Sequence, residues 1–201
     1  MKGSLIILAF FAVGLVGGIY DVFPTWLLNE ELTTYALFAL MFLVGISIGS
    51  DKTAFSILRK MNLKVVLVPL TVVVGSLAGT ALISFILSDI SVKEAMAVGA
   101  GFGYYSLSSI FISKLSGPEL GVVALLSNIF REILTLLAVP FLVRYFGKLA
   151  GIATGGATAM DTTLPIIVKF TGKDYGIIAI FSGIILTILV PILVKVIFEF
   201  L

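Results

Sequence analysis

Residues 95–113 read AMAVGAGFGYYSLSSIFIS. The stretch is charge-free and close to the roughly 20 apolar residues that a membrane span needs. Its three glycines and four serines nevertheless make it a poor continuous helix, because a glycine in a helix interior costs roughly 1 kcal/mol. Residues 149–168, LAGIATGGATAMDTTLPIIV, have the same character, with Gly151, Gly155, Gly156, four threonines, Asp161 and Pro165. Interrupted backbone at membrane depth is tolerated only against protein or a water-filled cavity. How these two stretches are read decides the fold.

The rest of the chain supplies the membrane setting. The 201 residues are 60% hydrophobic and 12% charged, against about 45–50% and about 25% for ordinary soluble domains. Residues 3–20, 32–50, 65–88 and 175–194 are charge-free and long enough to cross a bilayer. None shows the alternation of a membrane β-barrel. No small-residue cleavage site precedes Asp21, so residues 3–20 are expected to be a first helix and not a signal peptide. Cysteine and histidine are absent, which removes disulfides and the usual zinc sites. Proton traffic would then fall to carboxylates, since the side chain that titrates near neutral pH is missing. The net charge of +2 points to no nucleic-acid partner, and neither an enzyme activity nor a cofactor is expected.

Basic residues set the topology. Lys52, Arg59, Lys60 and Lys64 lie between the second and third runs, whereas Asp21, Glu30 and Glu31 follow the first. The positive-inside rule places the basic segment in the cytoplasm. If both interrupted stretches turn back as hairpins, nine basic residues lie inside and Lys93, Lys114 and Lys195 lie outside. If both cross, the division is eight to four. The count favours hairpins by one residue, with the N-terminus cytoplasmic and the C-terminus outside.

The two stretches also match each other. Sliding the chain by 55 residues superposes 101–133 on 156–188 with nine identities in 33 pairs, among them Gly101/Gly156, Lys114/Lys169, Gly117/Gly172, Gly121/Gly176 and Ser127/Ser182. The expected fold is an all-α polytopic membrane protein. It has about five transmembrane helices plus two broken or re-entrant segments in inverted repeats, a recurring transporter design. The units are a three-helix part over 1–92 and repeats over 93–147 and 148–201.

Residues able to handle solute or ions cluster in the repeats. Arg131 and Glu132 sit mid-helix in SNIFREIL (127–134), where a charge costs roughly 2.5–3.5 kcal/mol on insertion scales. Asn128 shares the face of Glu132, and Ser127 that of Arg131. The packing alternative is an internal ion pair locking helices together. Asp161, among Thr158, Thr162 and Thr163, suggests a coordination pocket, or equally a helix N-cap ahead of Pro165. Tyr105, Ser106 and Ser108 are the repeat partners of that site, with small-residue helix packing as the alternative. Asp51 reads as an interfacial residue. In the second repeat, Asn128, Arg131 and Glu132 are replaced by Gly183, Leu186 and Thr187. Charges needed only for packing would be expected in both copies.

With MFLVGISIG (41–49), GFGYYSLSS (101–109), FREIL (130–134) and GGATAMDTTLP (155–165) in this order, the chain resembles the lysine exporter family of the LysO type over nearly its whole length. Tyr104 stands where that family suggests tryptophan, Ala159 where it suggests serine, and Asn128 where an acid is usual. The resemblance implies export of L-lysine and close analogues across the plasma membrane, with Glu132 matching an intramembrane acid. It also implies a longer full-length form, so a small three-helix partner subunit or a homodimer is expected to complete the carrier. Coupling to proton entry through a carboxylate is the expected mechanism. The rival readings are a cation channel or Na+-coupled carrier for another solute, and a subunit of a two-component membrane complex.

Overall fold

A computed structural model describes residues 2–20, 22–24, 65–87 and 89–201, with single positions between 27 and 46. The chain divides into two compact units, Met1–Ser47 and Ile48–Leu201. In the first, α1 (Lys2–Ile19) is an 18-residue apolar helix. Gly17 lies beneath the Phe23 ring, leaving no room for a Cβ, and the amide of Val22 donates to the Gly17 carbonyl at 3.0 Å. Positions described within 31–46 are helical. The expected span over 32–50 otherwise falls outside the described residues, as do Asp51 and the basic segment.

The second unit holds α2 (Leu67–Ser84), α3 (Val92–Gly99), α4 (Tyr105–Ser116), α5 (Pro118–Phe146) and α6 (Lys148–Gly155). A 3₁₀ turn (Gly156–Met160), α7 (Leu164–Thr171) and α8 (Lys173–Phe200) complete it. No strand occurs among the described residues. In this unit α2, α5 and α8 are long and apolar enough to cross a membrane, where the sequence expects spans. Phe130, Leu134, Leu137 and Phe141 of α5 and Leu67, Leu70 and Val74 of α2 are exposed; a lipid-facing surface tolerates this and water does not. On α2 the hydroxyls of Thr71, Thr80 and Ser84 donate to carbonyls three or four residues back, which satisfies them without a partner helix.

Both interrupted stretches break where the sequence expects. Ser91 opens α3 with a capping box: its hydroxyl accepts from the Glu94 amide while the Glu94 carboxylate accepts from the Ser91 amide. The Ser91 hydroxyl and amide hold the Glu94 carboxyl below its usual range. The helix then ends at Ala100, and the chain passes through Phe102 (φ 47°) and Gly103 (φ 94°) before α4 begins. In the second stretch α6 ends at Gly156 (φ 59°), and α7 starts only at Leu164. Each closes on a glycine of nearly the same backbone conformation, Gly117 (φ 97°, ψ 164°) and Gly172 (φ 98°, ψ 165°). These lie 55 residues apart, and a long helix starts immediately after each.

Both stretches turn back at the break. Gly99 ends α3 against Thr80 of α2, and Val98 is bonded to Asn128 on α5. From there α4 returns along the first turns of α5, with Ser113 against Gly121. Likewise α6 runs back along α5, with Gly151 beside Val143 and Val139. Next, α7 returns beside both α6 and α8: Thr171 lies against Gly151, and Val168 against Gly176. Behind this sits an apolar core of Val68, Val139, Ile152, Ala159, Ile167 and Ala179.

The breaks meet through backbone. The Ala157 amide donates to the Phe102 carbonyl at 2.8 Å. A Cβ on Gly156 would collide with that same carbonyl, and one on Gly103 would sit 3.3 Å from the Gly155 carbonyl oxygen. Phe102 is a fully buried non-glycine residue at positive φ, a conformation that costs roughly 1–2 kcal/mol and persists because its surroundings hold it. Gly156→Ala adds both a clash and a strained φ, so a loss of about 2–4 kcal/mol is expected. Gly75→Ala meets nothing within 4 Å and should be neutral or stabilising by up to about 1 kcal/mol. Thermal unfolding in detergent compares the two.

Candidate functional site

Side chains from α5 organise the crossing. Asn128 is buried and uses its amide fully. Its Oδ1 accepts from the Gly103 amide at 2.7 Å, and its Nδ2 donates to the carbonyls of Val98 (3.2 Å) and Ala124 (2.9 Å). The first break thus regains through one side chain the pairing that a helix would have given. In the second repeat the position is Gly183, where a Cβ would lie 2.6 Å from Met160 Cβ and 2.8 Å from the Ala157 carbonyl oxygen. There the second break packs directly on α8. The two residues answer one requirement, backbone polar groups stripped of their helix, in two ways.

Arg131 lies between the breaks. Nε donates to the Thr154 carbonyl and Nη2 to that of Ala153, both at 3.1 Å. These are terminal carbonyls of α6, whose last turn bears partial negative charge. Thr135 donates to the same Thr154 carbonyl at 3.0 Å. The third contact, Nη1 to Ser76 Oγ at 2.9 Å, reaches α2. Among the described residues these three bonds all go to neutral oxygens.

Glu132 is fully buried. Asp161 lies within electrostatic range of both Glu132 and Tyr104, so the two acids, from different elements, share one region. Asp161 follows the 3₁₀ turn and is exposed. Its Oδ1 accepts from the amide and hydroxyl of Thr162. The N-cap alternative for Asp161 does not hold: the cap of α7 is Thr163, and no side chain accepts from the first turn. Thr163 is fully buried, with its hydroxyl 3.4 Å from that of Thr158. In the first stretch Tyr105 and Ser108 are buried and Ser106 is half-buried. The hydroxyls of Ser108, Ser182 and Thr187 are buried with no hydrogen-bond partner among the described groups. Thr187 is the repeat counterpart of Glu132, so a buried polar atom stands at this level in both long helices.

Two cavities flank Arg131. One, a groove of about 660 Å³, is lined by Thr71, Ser76, Thr135 and Thr154 and, at its lipid-facing side, by the exposed Phe130 and Leu134. The other, of about 270 Å³, is lined by Thr80, Val98, Val123 and Asn128 among others. Ser76, Thr135 and Thr154 are absent from the sequence-based candidates. Ser76 sits in VVGSLAGT, which reads as small-residue helix packing. Its partner is 55 positions away in sequence, and no local pattern announces it. Among the described residues no group of acids could hold a metal ion.

Asn128→Ala leaves the Gly103 amide and Val98 carbonyl without their buried partner. The expected loss is about 1–3 kcal/mol for each group left unsatisfied. Ser127→Ala, one position away and exposed, should change stability by less than about 0.5 kcal/mol. Denaturation midpoints in one detergent test the pair.

The profile of a family described as lysine exporter LysO matches residues 8–198. The chain is 36% identical over 184 residues to the lysine exporter LysO of Escherichia coli K12, which covers 92% of this chain and 59% of that protein. It is 35% identical over 161 residues to a provisionally named lysine exporter of Haemophilus influenzae, covering 79% of this chain and 80% of the relative. The chain therefore spans about three fifths of the E. coli relative's length. No solved structure matches. With the profile matched almost end to end, this chain belongs to the lysine exporter LysO family.

Proposed function

We propose that the chain forms a secondary active carrier, or the main part of one, that exports L-lysine and close analogues across the plasma membrane. The observation that carries this reading is Glu132: a fully buried acid, in a helix long enough to cross the bilayer, beside crossed and interrupted helices. Charged groups in such a place mark solute and ion paths. Asp161 lies within its electrostatic reach. The names borne by the two relatives supply the solute.

A cationic amino acid needs a site for its carboxylate and a site for its ammonium groups. Arg131 lines both cavities and serves the carboxylate. Glu132 and Asp161 serve the ammonium side chain, with Thr162, which bonds the Asp161 carboxylate, and with Thr163, Tyr105, Ser106 and Ser108 as further candidate contacts. Moving a cation out of a cell with a negative interior is uphill by roughly 2.3 kcal/mol per 100 mV. Entry of a proton offsets that cost. A carboxylate that holds either a proton or the substrate ammonium couples the two, and with no histidine in the chain this role falls to Glu132.

Alternating access follows from the two broken hairpins acting as inverted repeats, with the N-terminus cytoplasmic and the C-terminus outside. A small three-helix subunit, or a second copy of this chain, completes the carrier; the greater length of the E. coli relative supports that part.

The test is efflux of labelled lysine from vesicles carrying the carrier under an imposed pH gradient. Glu132→Gln keeps the shape and removes the titratable group. It is expected to lower proton-driven efflux by about 100-fold, in the range of an essential proton-transfer group. Glu132→Gln efflux at the unsubstituted rate, or unchanged efflux when sodium replaces the pH gradient, would contradict the coupling.

A further inference from the structure

The two cavities beside Arg131 are arranged in series. Along α2 the larger one takes Thr71 to Ser76, and the smaller one begins at Thr80. Along α5, which runs the opposite way, the smaller takes Val123 to Asn128 and the larger continues to Leu142. They share two lining residues, Ser127 and Arg131. Between them Arg131 reaches across to α2, where Nη1 meets Ser76 Oγ at 2.9 Å.

We propose that the Arg131–Ser76 hydrogen bond is the closed gate of a solute path along the groove between α2 and α5, and that a solute carboxylate opens it by replacing Ser76. This rests on the carrier reading above, and adds to it a residue on α2 and the position of the closure.

The bonds around Arg131 divide into fixed and releasable ones. Nε and Nη2 are held by α6 carbonyls, and the Thr154 carbonyl is further tied to Thr135. These hold the guanidinium against α6. The remaining contact goes to one hydroxyl on a half-buried residue. A carboxylate is a stronger acceptor for a guanidinium than a hydroxyl, because the bond is charge-assisted on both sides. A solute entering either cavity therefore competes for Nη1 while leaving Nε and Nη2 in place. Exchange frees α2 from α5 without leaving a buried charge bare. A cavity of about 660 Å³ falls in the size range of small-molecule sites.

The chain contains no cysteine, so single cysteines report access directly. Ala138→Cys places a thiol in the larger cavity and Thr80→Cys in the smaller. The full chain in vesicles of known orientation is treated from either face with a small, charged, membrane-impermeant thiol reagent. Each position is expected to react from one face only, and the two from opposite faces. Adding Ser76→Ala should raise the rate from the wrong face by about tenfold or more, the weight of one hydrogen bond to a charged group. Ser76→Thr keeps the hydroxyl and should restore the barrier.

Reaction of both cysteines from the same face would overturn the proposal. So would no reaction at either, which is the outcome if another helix fills the groove. Wrong-face rates unchanged by Ser76→Ala would overturn it as well. The labelling requires no transported solute. A gate that behaves as expected in a chain that moves no lysine removes the lysine reading alone. Lysine efflux with an unaltered barrier in Ser76→Ala removes the gate alone.

Discussion

The hydrogen bond from the Ala157 amide to the Phe102 carbonyl joins two helices at the points where each has been interrupted. Within a bilayer such a contact is demanding, since each unpaired amide or carbonyl in hydrocarbon costs several kcal/mol. Two breaks placed together share that cost, because each supplies partners for the other. The geometry leaves little freedom: Gly156 faces the Phe102 carbonyl so closely that no side chain fits. Phe102 itself holds a left-handed conformation while fully buried. The hairpins, the long helices packed on them and the placement of α5 all follow from keeping these two backbones in contact.

The polar residues of α5 can then be ranked by what the crossing requires of them. Asn128 and Arg131 both satisfy backbone oxygens around the breaks. At the Asn128 position the difference between the copies has a structural reason, since Gly183 lets the second break pack directly on α8. The difference there does not by itself indicate function. Glu132 differs. It is an acid held at full burial, and its repeat counterpart is a buried threonine hydroxyl. A carboxylate in hydrocarbon is expensive, and packing alone gives no reason for one at this position. Arg131 combines both roles, two donors locked to α6 and one directed at α2.

Much of this architecture was legible in the sequence because membrane segments declare themselves by composition. The helices α1, α2 and α8 fall where the charge-free runs predict, and Gly117 and Gly172 mark the same joint twice. The breaks were legible because three glycines within five residues, or two glycines followed by Asp161 and Pro165, cannot continue a helix cheaply. What remained hidden was long-range pairing. No local pattern tells that Asn128 reaches back to Gly103 and Val98, or that Arg131 reaches Ser76. For Asp161 the capping signal misleads: its carboxylate binds the next residue, and Thr163 takes the cap position. Propensity names the residue types of a cap; the tertiary contacts around the break decide which one occupies it.

We propose that the crossing houses a site for a cationic amino acid centred on Glu132. A ligand that binds only the folded state raises its stability by about 2.7 kcal/mol at 100 times its Kd. The most direct measurement is the thermal unfolding midpoint of the purified chain with L-lysine and with L-norleucine, which has the same carboxylate and chain length but no side-chain ammonium. Lysine is expected to raise the midpoint, norleucine to raise it little, and Glu132→Gln to remove the difference. Equal shifts for the two amino acids, or a lysine shift that survives in Glu132→Gln, would contradict it.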